Sequence, residues 1–525
     1  MKLKIIICLI SLQSAVLVNG QSERAAIRKT IEKFIVGTEY NYPDSILDAF
    51  YSPEAKMFLH TDADTTFIVT AERYASFYTR RAPGTRNQRY SKILSLEQVN
   101  QVAYVKIQVD IPSFGNRYYD LFLLKKLEGH WKVVAKVTSA EPLPRKPEEL
   151  KSVPRKETVI SGLNRPWSMA FLSETSVLVA EKDGTILRVD LLSKEKTPLQ
   201  GLPTDVGRAI KIDTAQHAWG VFPPQAHGQT RTFNTGWFQI LLDPDFDQNN
   251  YIYISYAAEN EKRESTTKVI RGKLNGTRVT DIKTLLLAAP YSHGLFHYGG
   301  GMIFGPDKKL YITVGERNLY EHLNPDLPLA QDLQDLRGKI FRLNRDGSAP
   351  KDNPDFGSEA PKGLYAWGIR AAQGFTLHPQ TKDIWFSEHG TFQGDELNIL
   401  KPGANYGWPY QTTGGYRSEH YAPMVPNRLI FEDPVFYWDK TVAPTGLSFY
   451  TGTEFPLWKG DLLVPGLSKG SLWRMQIEDN KVTAAEELFI NDRVRLRKVV
   501  QSPRGQLYLL TDEEDGRIIK LVNGD

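Results

Sequence analysis

His297 opens the phrase His297-Tyr-Gly-Gly300, and a neutral imidazole titrates where a side chain can take a proton from a hydroxyl near neutral pH. By itself, a histidine among glycines is more often a loop residue. Arg495 and Arg497 stand two apart, the strand spacing that puts both heads on one face. By itself, such a pair also fits a solvated strand edge. The stretch from Glu388 to Asn398 holds Glu388, Asp395, Glu396 and Asn398 close together. Asp346 and Asp395 would be helpers, but Asp-Gly and Asp-Glu turns are common without any function. Nearer the N-terminus, His60, Asp62 and Asp64 read as surface residues, with no acid–base pair among them. The only cysteine, Cys8, falls in an N-terminal leader, so the exported chain would have no thiol, disulfide or thiolate metal site.

At 525 residues the chain is long enough for two or more folded units. Met1-Lys-Leu-Lys4, an apolar run from Ile5 to about Val18 and the small residues after it describe a secretory signal peptide over 1–20. No later apolar run is long enough to span a bilayer. The formal charge of +4 is interspersed rather than blocked, which gives no electrostatic case for nucleic acid or membrane binding. From Ser22 to about Lys136 helices come first: residues 23–38 place Ile27, Ile31, Phe34 and Ile35 at helical spacing, and 45–51 and 70–80 read as shorter helices. Strands follow over 91–96, 101–109, 117–127 and 130–137. Helices followed by a curved antiparallel sheet make an α+β cone, here 21–140. Pro142, Pro144, Pro147 and Pro154 among charged residues mark a stiff linker over 141–157.

From 158 to 525 the chain repeats itself. An apolar–aromatic core, a turn with Asp, Lys or Gly and a β-rich run recur from Met169, Ile240, Met302, Phe375, Leu447 and Val499. After several copies a further strand follows, from Gly184, Gly338, Gly470 and Gly516. Strand–turn–strand repetition without a helical period predicts an all-β, six-bladed β-propeller. Uneven spacing means inserted loops, and the loops of one face usually carry a propeller's site.

Ordered phrases then give a specific resemblance between about Leu163 and Val522. Asp243-Pro-Asp-Phe246, His297-Tyr-Gly-Gly300, Gly338-Lys-Ile-Phe-Arg-Leu-Asn-Arg-Asp-Gly347, Glu388-His-Gly390, Gly394-Asp-Glu-Leu-Asn398, Asn405-Tyr-Gly-Trp-Pro409 and Arg495-Leu-Arg-Lys-Val499 resemble the soluble quinoprotein glucose and aldose sugar dehydrogenases, the glucose/sorbosone dehydrogenase family. The cone, through Tyr118-Tyr-Asp-Leu-Phe-Leu-Leu-Lys125 and Gly129-His-Trp-Lys-Val-Val134, resembles the nuclear-transport-factor-2-like (NTF2-like) superfamily in its lumazine-binding-like branch. The first resemblance implies oxidation of an aldose to its lactone, with hydride passing to pyrroloquinoline quinone (PQQ) held beside Ca2+. It assigns the base to His297, with His293 a lesser candidate. It assigns cofactor contacts to Asn234, Arg370, Lys469, Arg495 and Arg497. Backbone oxygens of Gly390 and Thr391 would face the cofactor's ion, and Glu396 with the Tyr406 carbonyl would hold a structural calcium.

Several cofactor-facing positions depart from the family pattern. Gly301 replaces an arginine, Ile369 and Ala371 replace a histidine and an asparagine beside Arg370, and Thr391 replaces a proline. Glu316 follows Gly315 where aspartate is usual, and Asn234-Thr-Gly236 stands for Gln-Gly-Gly, with Gln229 nearby. An insertion at 215–230 would cover one face. Two alternatives therefore stay open: a propeller that keeps calcium, has lost quinone chemistry and binds carbohydrate or a protein partner, and a calcium-dependent lactonase-like hydrolase. The expected setting is the periplasm or the extracellular medium, with a small sugar as substrate and a homodimer through the cone.

Overall fold

A computed structural model describes residues 23–60, 66–143, 153–207, 210–211, 230–231, 234–292, 296–317, 328–391, 393–416, 423, 425–426 and 429–524. The expected leader with Cys8, the pair Asp62 and Asp64, Gln229, His293 and nearly all of the expected insertion at 215–230 lie outside the described residues. The chain divides into two compact units, Met1–Pro144 and Arg145–Asp525.

In the first unit a helix over 23–39 buries Ile27, Ile31 and Phe34 on one face, as the 3.6-residue spacing requires. Pro43 opens the next helix, Pro43–Ala49, where its missing N–H costs nothing. The Thr70 hydroxyl caps Ala71–Ala75 by accepting the Arg73 N–H at 3.1 Å. That helix passes into a 3-10 turn, Ser76–Tyr78, and is shorter than the 70–80 expected. The sheet has six strands rather than four. Tyr90–Val99, Val102–Ile111, Asn116–Leu127 and His130–Pro142 extend the expected ones. The hairpin Lys56–His60 with Thr66–Thr70 was not expected, because its burial does not alternate. Inside the cone Lys136 and Asp120 pair at 2.8 Å, each 2 % exposed, with the ammonium facing the rings of Phe34, Tyr74 and Phe122. Their type and spacing carried no sequence signal.

Among the described residues, the second unit has six four-stranded antiparallel sheets in chain order, with a two-stranded ribbon. Each repeat copy forms the first hairpin of one sheet, as in Gly299–Phe304 with Leu310–Val314 and Ala372–Leu377 with Ile384–Glu388. The first strand of each sheet packs on the first strand of the next, and that of the sixth on that of the first, so the sheets form a closed ring. The sixth sheet takes its outer strand, Val153–Leu163, from the beginning of the unit. This strand starts inside the expected linker. Pro154 is tolerated there because the strand lies at a sheet edge, where no second partner needs its N–H.

Buried hydroxyls bind neighbouring sheets together. Ser168 donates to the Phe238 carbonyl at 2.8 Å, Ser255 to Gly300 at 2.6 Å, Thr313 to Ala372 at 2.8 Å and Ser387 to Thr445 at 2.8 Å. Each bonds a carbonyl of the neighbouring sheet's first strand, or in Thr445 of the segment just before it, a net gain of about 1 kcal/mol per bond. Apolar clusters fill the spaces between sheets, as where Trp385, Leu397 and Trp438 of the fourth meet Phe449, Val464 and Trp473 of the fifth. In every sheet the first strand begins and the second ends at the same end of the ring. The repeat turns, such as Asp243-Pro-Asp245 and Gly305-Pro-Asp307, lie at the opposite end. Among the described residues, no helix is long and apolar enough to cross a membrane.

Candidate active site

His297 immediately precedes the first strand of the third sheet, Gly299–Phe304, and Glu316 follows the second, Leu310–Val314. The antiparallel hairpin therefore returns Glu316 to His297. The imidazole Nδ1 lies 2.5 Å from Glu316 Oε1, with the histidine side chain 12 % exposed and the glutamate 1 %. A carboxylate can only accept, so it fixes the proton on Nδ1 and leaves Nε2 with its lone pair. The turn is unusually tight. His297 and Arg317 both have left-handed backbones, at φ 51° and 69°, and the Arg317 N–H donates to the His297 carbonyl at 3.2 Å. Gly315 is required, because a Cβ there would stand 2.0 Å from the His297 carbonyl oxygen.

The fully buried Arg317 holds this turn from behind. It donates to the carbonyls of Phe296 at 3.1 Å and Ser265 at 2.6 Å and to the Ser265 hydroxyl at 3.2 Å, and it stacks 3.6 Å from the Tyr298 ring centre. The Tyr298 and Ser265 hydroxyls share a hydrogen bond of 2.6 Å. One phrase of sequence therefore contains the imidazole, and its supports come from two other strands.

Arg370 is joined to this cluster through the main chain, since its carbonyl accepts the Glu316 N–H at 2.9 Å. Its guanidinium is buried, donates to the His389 carbonyl at 3.0 Å and lies 5.1 Å from the Trp408 ring centre. The Arg370 N–H donates to the Glu388 carboxylate. Burial, and then the neighbouring Glu396, push Glu388 up to about 8, while burial holds His389 down to about 4. Glu388 and Glu396 are direct cross-strand partners.

Among the described residues no three His, Cys, Asp or Glu side chains group as a metal cage, so an ion here would rely on carbonyls and a few carboxylates. The surroundings fit that use. Glu396 accepts from Thr413 at 2.9 Å, and the buried Asn398 Oδ1 beside it has no hydrogen-bond donor. Tyr406 is fixed by its hydroxyl to Ile399, three residues beyond Glu396, at 2.7 Å, and its carbonyl receives no hydrogen bond among the described residues. The Gly390 N–H is taken by Asp395 at 2.8 Å, and the Thr391 hydroxyl donates to the Gly415 carbonyl. A divalent cation would stabilise both ionised carboxylates, which relieves the strain on Glu388.

The sixth sheet supplies the cations. Arg495 and Arg497 converge on Asp512, although only Arg497 lies within the strand Leu496–Gln501. Arg495 reaches Asp512 at 2.8 Å and is half exposed; Arg497 reaches it at 3.0 Å and the Gln373 amide oxygen at 2.7 Å, and is buried. Burial alone would raise the Asp512 pKa, but Arg497, Lys182 and Arg495 together hold it well below the usual range. Lys498, which no motif marked out, donates to the Gln239 side chain of the second sheet and lies 5.5 Å from the Trp167 ring centre. Buried guanidinium and ammonium groups are what a tricarboxylate quinone requires, so the donor set fits PQQ. Lys469 is exposed in its turn, and Asn234 is half buried without a side-chain hydrogen bond among the described residues; neither joins the others. Asp346 binds Ser348 at the opposite end of the third sheet, away from this group. Gly301 has a structural reason: a Cβ there would approach the Gln373 carbonyl oxygen to 2.7 Å, so this backbone leaves no space for an arginine.

A ring of antiparallel sheets with an imidazole–carboxylate pair and clustered cations at one end is the construction of a propeller oxidoreductase. The glucose/sorbosone dehydrogenase profile matches residues 163–520, and the chain belongs to that family of sugar oxidoreductases. A lumazine-binding profile matches residues 22–139, which makes the first unit an NTF2-like domain. The chain is 32 % identical over 373 residues to aldose sugar dehydrogenase YliI of Escherichia coli (strain K12), covering 70 % of this chain and 92 % of that one. It is 27 % identical over 430 residues to quinoprotein glucose dehydrogenase B of Acinetobacter calcoaceticus, covering 68 % and 85 %. The PQQ-bound form of aldose sugar dehydrogenase from Streptomyces coelicolor is similar at 26 % identity and a TM-score of 0.51, covering 71 % of this chain and 98 % of that one.

Proposed function

We propose that the protein is an exported PQQ-dependent dehydrogenase that oxidises an aldose to its lactone. The observation that carries this reading is the imidazole of His297 held through Nδ1 on the buried Glu316 carboxylate, which orients the ring as a base. In this reading the six sheets are the six blades of a propeller and the His297 end of the ring is its working face. His297 takes the proton of the anomeric hydroxyl at Nε2, and Glu316 stabilises the imidazolium as it forms. Arg370, Arg495 and Arg497 neutralise carboxylate and quinone oxygens. Bound PQQ supplies an electron-poor quinone carbon that accepts hydride. Calcium rests on the Gly390–Thr391 turn, and a second ion on Glu396 and the Tyr406 carbonyl. The signal peptide is removed, and the cone, with Leu121, Leu123 and Val137 exposed on its sheet, pairs two copies.

The test is titration of purified apoprotein with PQQ in excess Ca2+, followed by a panel of aldoses with a dye acceptor. Micromolar or tighter binding with sugar-dependent bleaching of the quinone is expected. Absence of binding would leave the chain as a carbohydrate- or partner-binding propeller. Calcium has an independent readout. Adding Ca2+ at a hundredfold excess over its Kd is expected to stabilise the apoprotein by about 2.7 kcal/mol. Glu396→Gln should greatly reduce that shift in thermal unfolding, and an undiminished shift would remove Glu396 from the ion's ligands.

A further inference from the structure

The residue that follows the second strand of a sheet stands at the working end of the ring. In the third sheet this segment is Gly315-Glu316, in the fourth it is His389 after Ile384–Glu388, and in the sixth it is Asp512 after Leu507–Thr511. In the first sheet the second strand is Ser176–Glu181, and the residue after it is Lys182. No motif marked this lysine. It is only 6 % exposed, and its ammonium makes no hydrogen bond among the described residues. Its principal charged neighbours are Asp512 and Arg497, with Asp183 and Arg165 beyond them.

Those neighbours do not supply what the ammonium lacks. Asp512 already faces both Arg495 and Arg497, and Asp183 faces Arg165 at 3.0 Å. A nearly buried ammonium without an acceptor is costly unless an anion reaches it. Burial accordingly pulls the Lys182 pKa down to about 8.

We propose that Lys182 is a carboxylate-binding residue of this site, adding from the first sheet the cation that Gly301 of the third does not provide. The carboxylate belongs to the quinone cofactor or to an acidic sugar, and in either case the inference rests on the quinone-dehydrogenase reading above. Lysine suits the position as a compact point charge with several donors, which needs no fork geometry from its partner.

The experiment compares wild type, Lys182→Gln and Lys182→Arg by titrating each apoprotein with PQQ in excess Ca2+, with urea unfolding of the apoproteins alongside. Losing one charge-assisted hydrogen bond should weaken quinone binding roughly 10- to 100-fold in Lys182→Gln, with Lys182→Arg recovering most of it. The apoprotein's urea midpoint should not fall, because the lysine has no bonded partner to lose. If quinone affinity is unchanged, the PQQ-loaded proteins are assayed with glucose and glucuronate. A KM raised for glucuronate alone assigns the carboxylate to the sugar. Equal affinity and equal KM values, or a loss confined to apoprotein stability, overturn the proposal and leave Lys182 as a counter-charge to Asp512. Failure of the wild type to bind quinone would instead overturn the functional reading itself.

Discussion

Replacing His297 with alanine is expected to lower kcat/KM for an aldose by roughly 10²- to 10⁴-fold, the usual contribution of a placed general base. Quinone affinity should change little, since His297 bonds to Glu316 and not to the cation cluster. Glu316→Gln should lose less, because an amide can still accept from Nδ1 but cannot stabilise an imidazolium as a carboxylate does. The two residues act as one unit, so the double variant should be no slower than His297→Ala alone. Stopped-flow bleaching of the bound quinone measures all three, separately from acceptor turnover. Wild-type bleaching in His297→Ala would remove the histidine from the reaction. Additive losses in the double variant would mean that Glu316 acts through some other group.

The sequence disclosed the ring of sheets more readily than the site, and the strand directions explain the difference. The repeating phrases, such as Ile240-Leu-Leu-Asp-Pro-Asp and Met302-Ile-Phe-Gly-Pro-Asp, cover a first strand and the turn at its far end. Every sheet needs that turn and that buried strand, so they recur and can be read. The working end comprises strand starts and strand exits, where each sheet carries a different side chain. Glu316 therefore registered only as a departure from a family phrase, although it sits on the imidazole. Arg317, Lys182, Gln373 and Asp512 had no signal, because only the fold brings them to their neighbours: Ser265 lies 52 residues from Arg317, and Arg497 lies 124 from Gln373. The i, i+2 spacing of Arg495 and Arg497 did bring both heads to one carboxylate, but not their unequal burial. Gly301 was legible as a missing arginine. That the missing side chain leaves space for the neighbouring sheet's carbonyl became visible only with the sheets in contact. In the cone, amphipathic helix 23–39 and the long strands were legible from periodicity, whereas the hairpin at 56–70 was hidden by its two-sided exposure.

The second large effect is expected at Arg317. Its guanidinium is the only described group that ties the Phe296 and Ser265 carbonyls together behind His297, with Ser265 buried and Phe296 half-buried. Arg317→Met keeps much of the side chain's length but removes its hydrogen bonds to the Phe296 carbonyl, the Ser265 carbonyl and the Ser265 hydroxyl, at about 1 kcal/mol or more each, so a loss of about 3 kcal/mol is expected. Tyr298 also loses the cation stacked on its ring. The loss should fall on the propeller and spare the cone. All ten tryptophans except Trp131 belong to the second unit, so tryptophan fluorescence follows the propeller. In urea the fluorescence midpoint should move down with its slope unchanged, while helix content from the cone keeps its own transition. Arg317→Lys retains the charge without the fork and should fall between wild type and methionine. In folded Arg317→Lys protein, kcat should drop more than KM rises, because the left-handed turn that presents the imidazole is no longer held from behind. A lysine variant with full kcat and lowered stability would show that Arg317 maintains the interior and leaves the orientation of His297 to Glu316 alone.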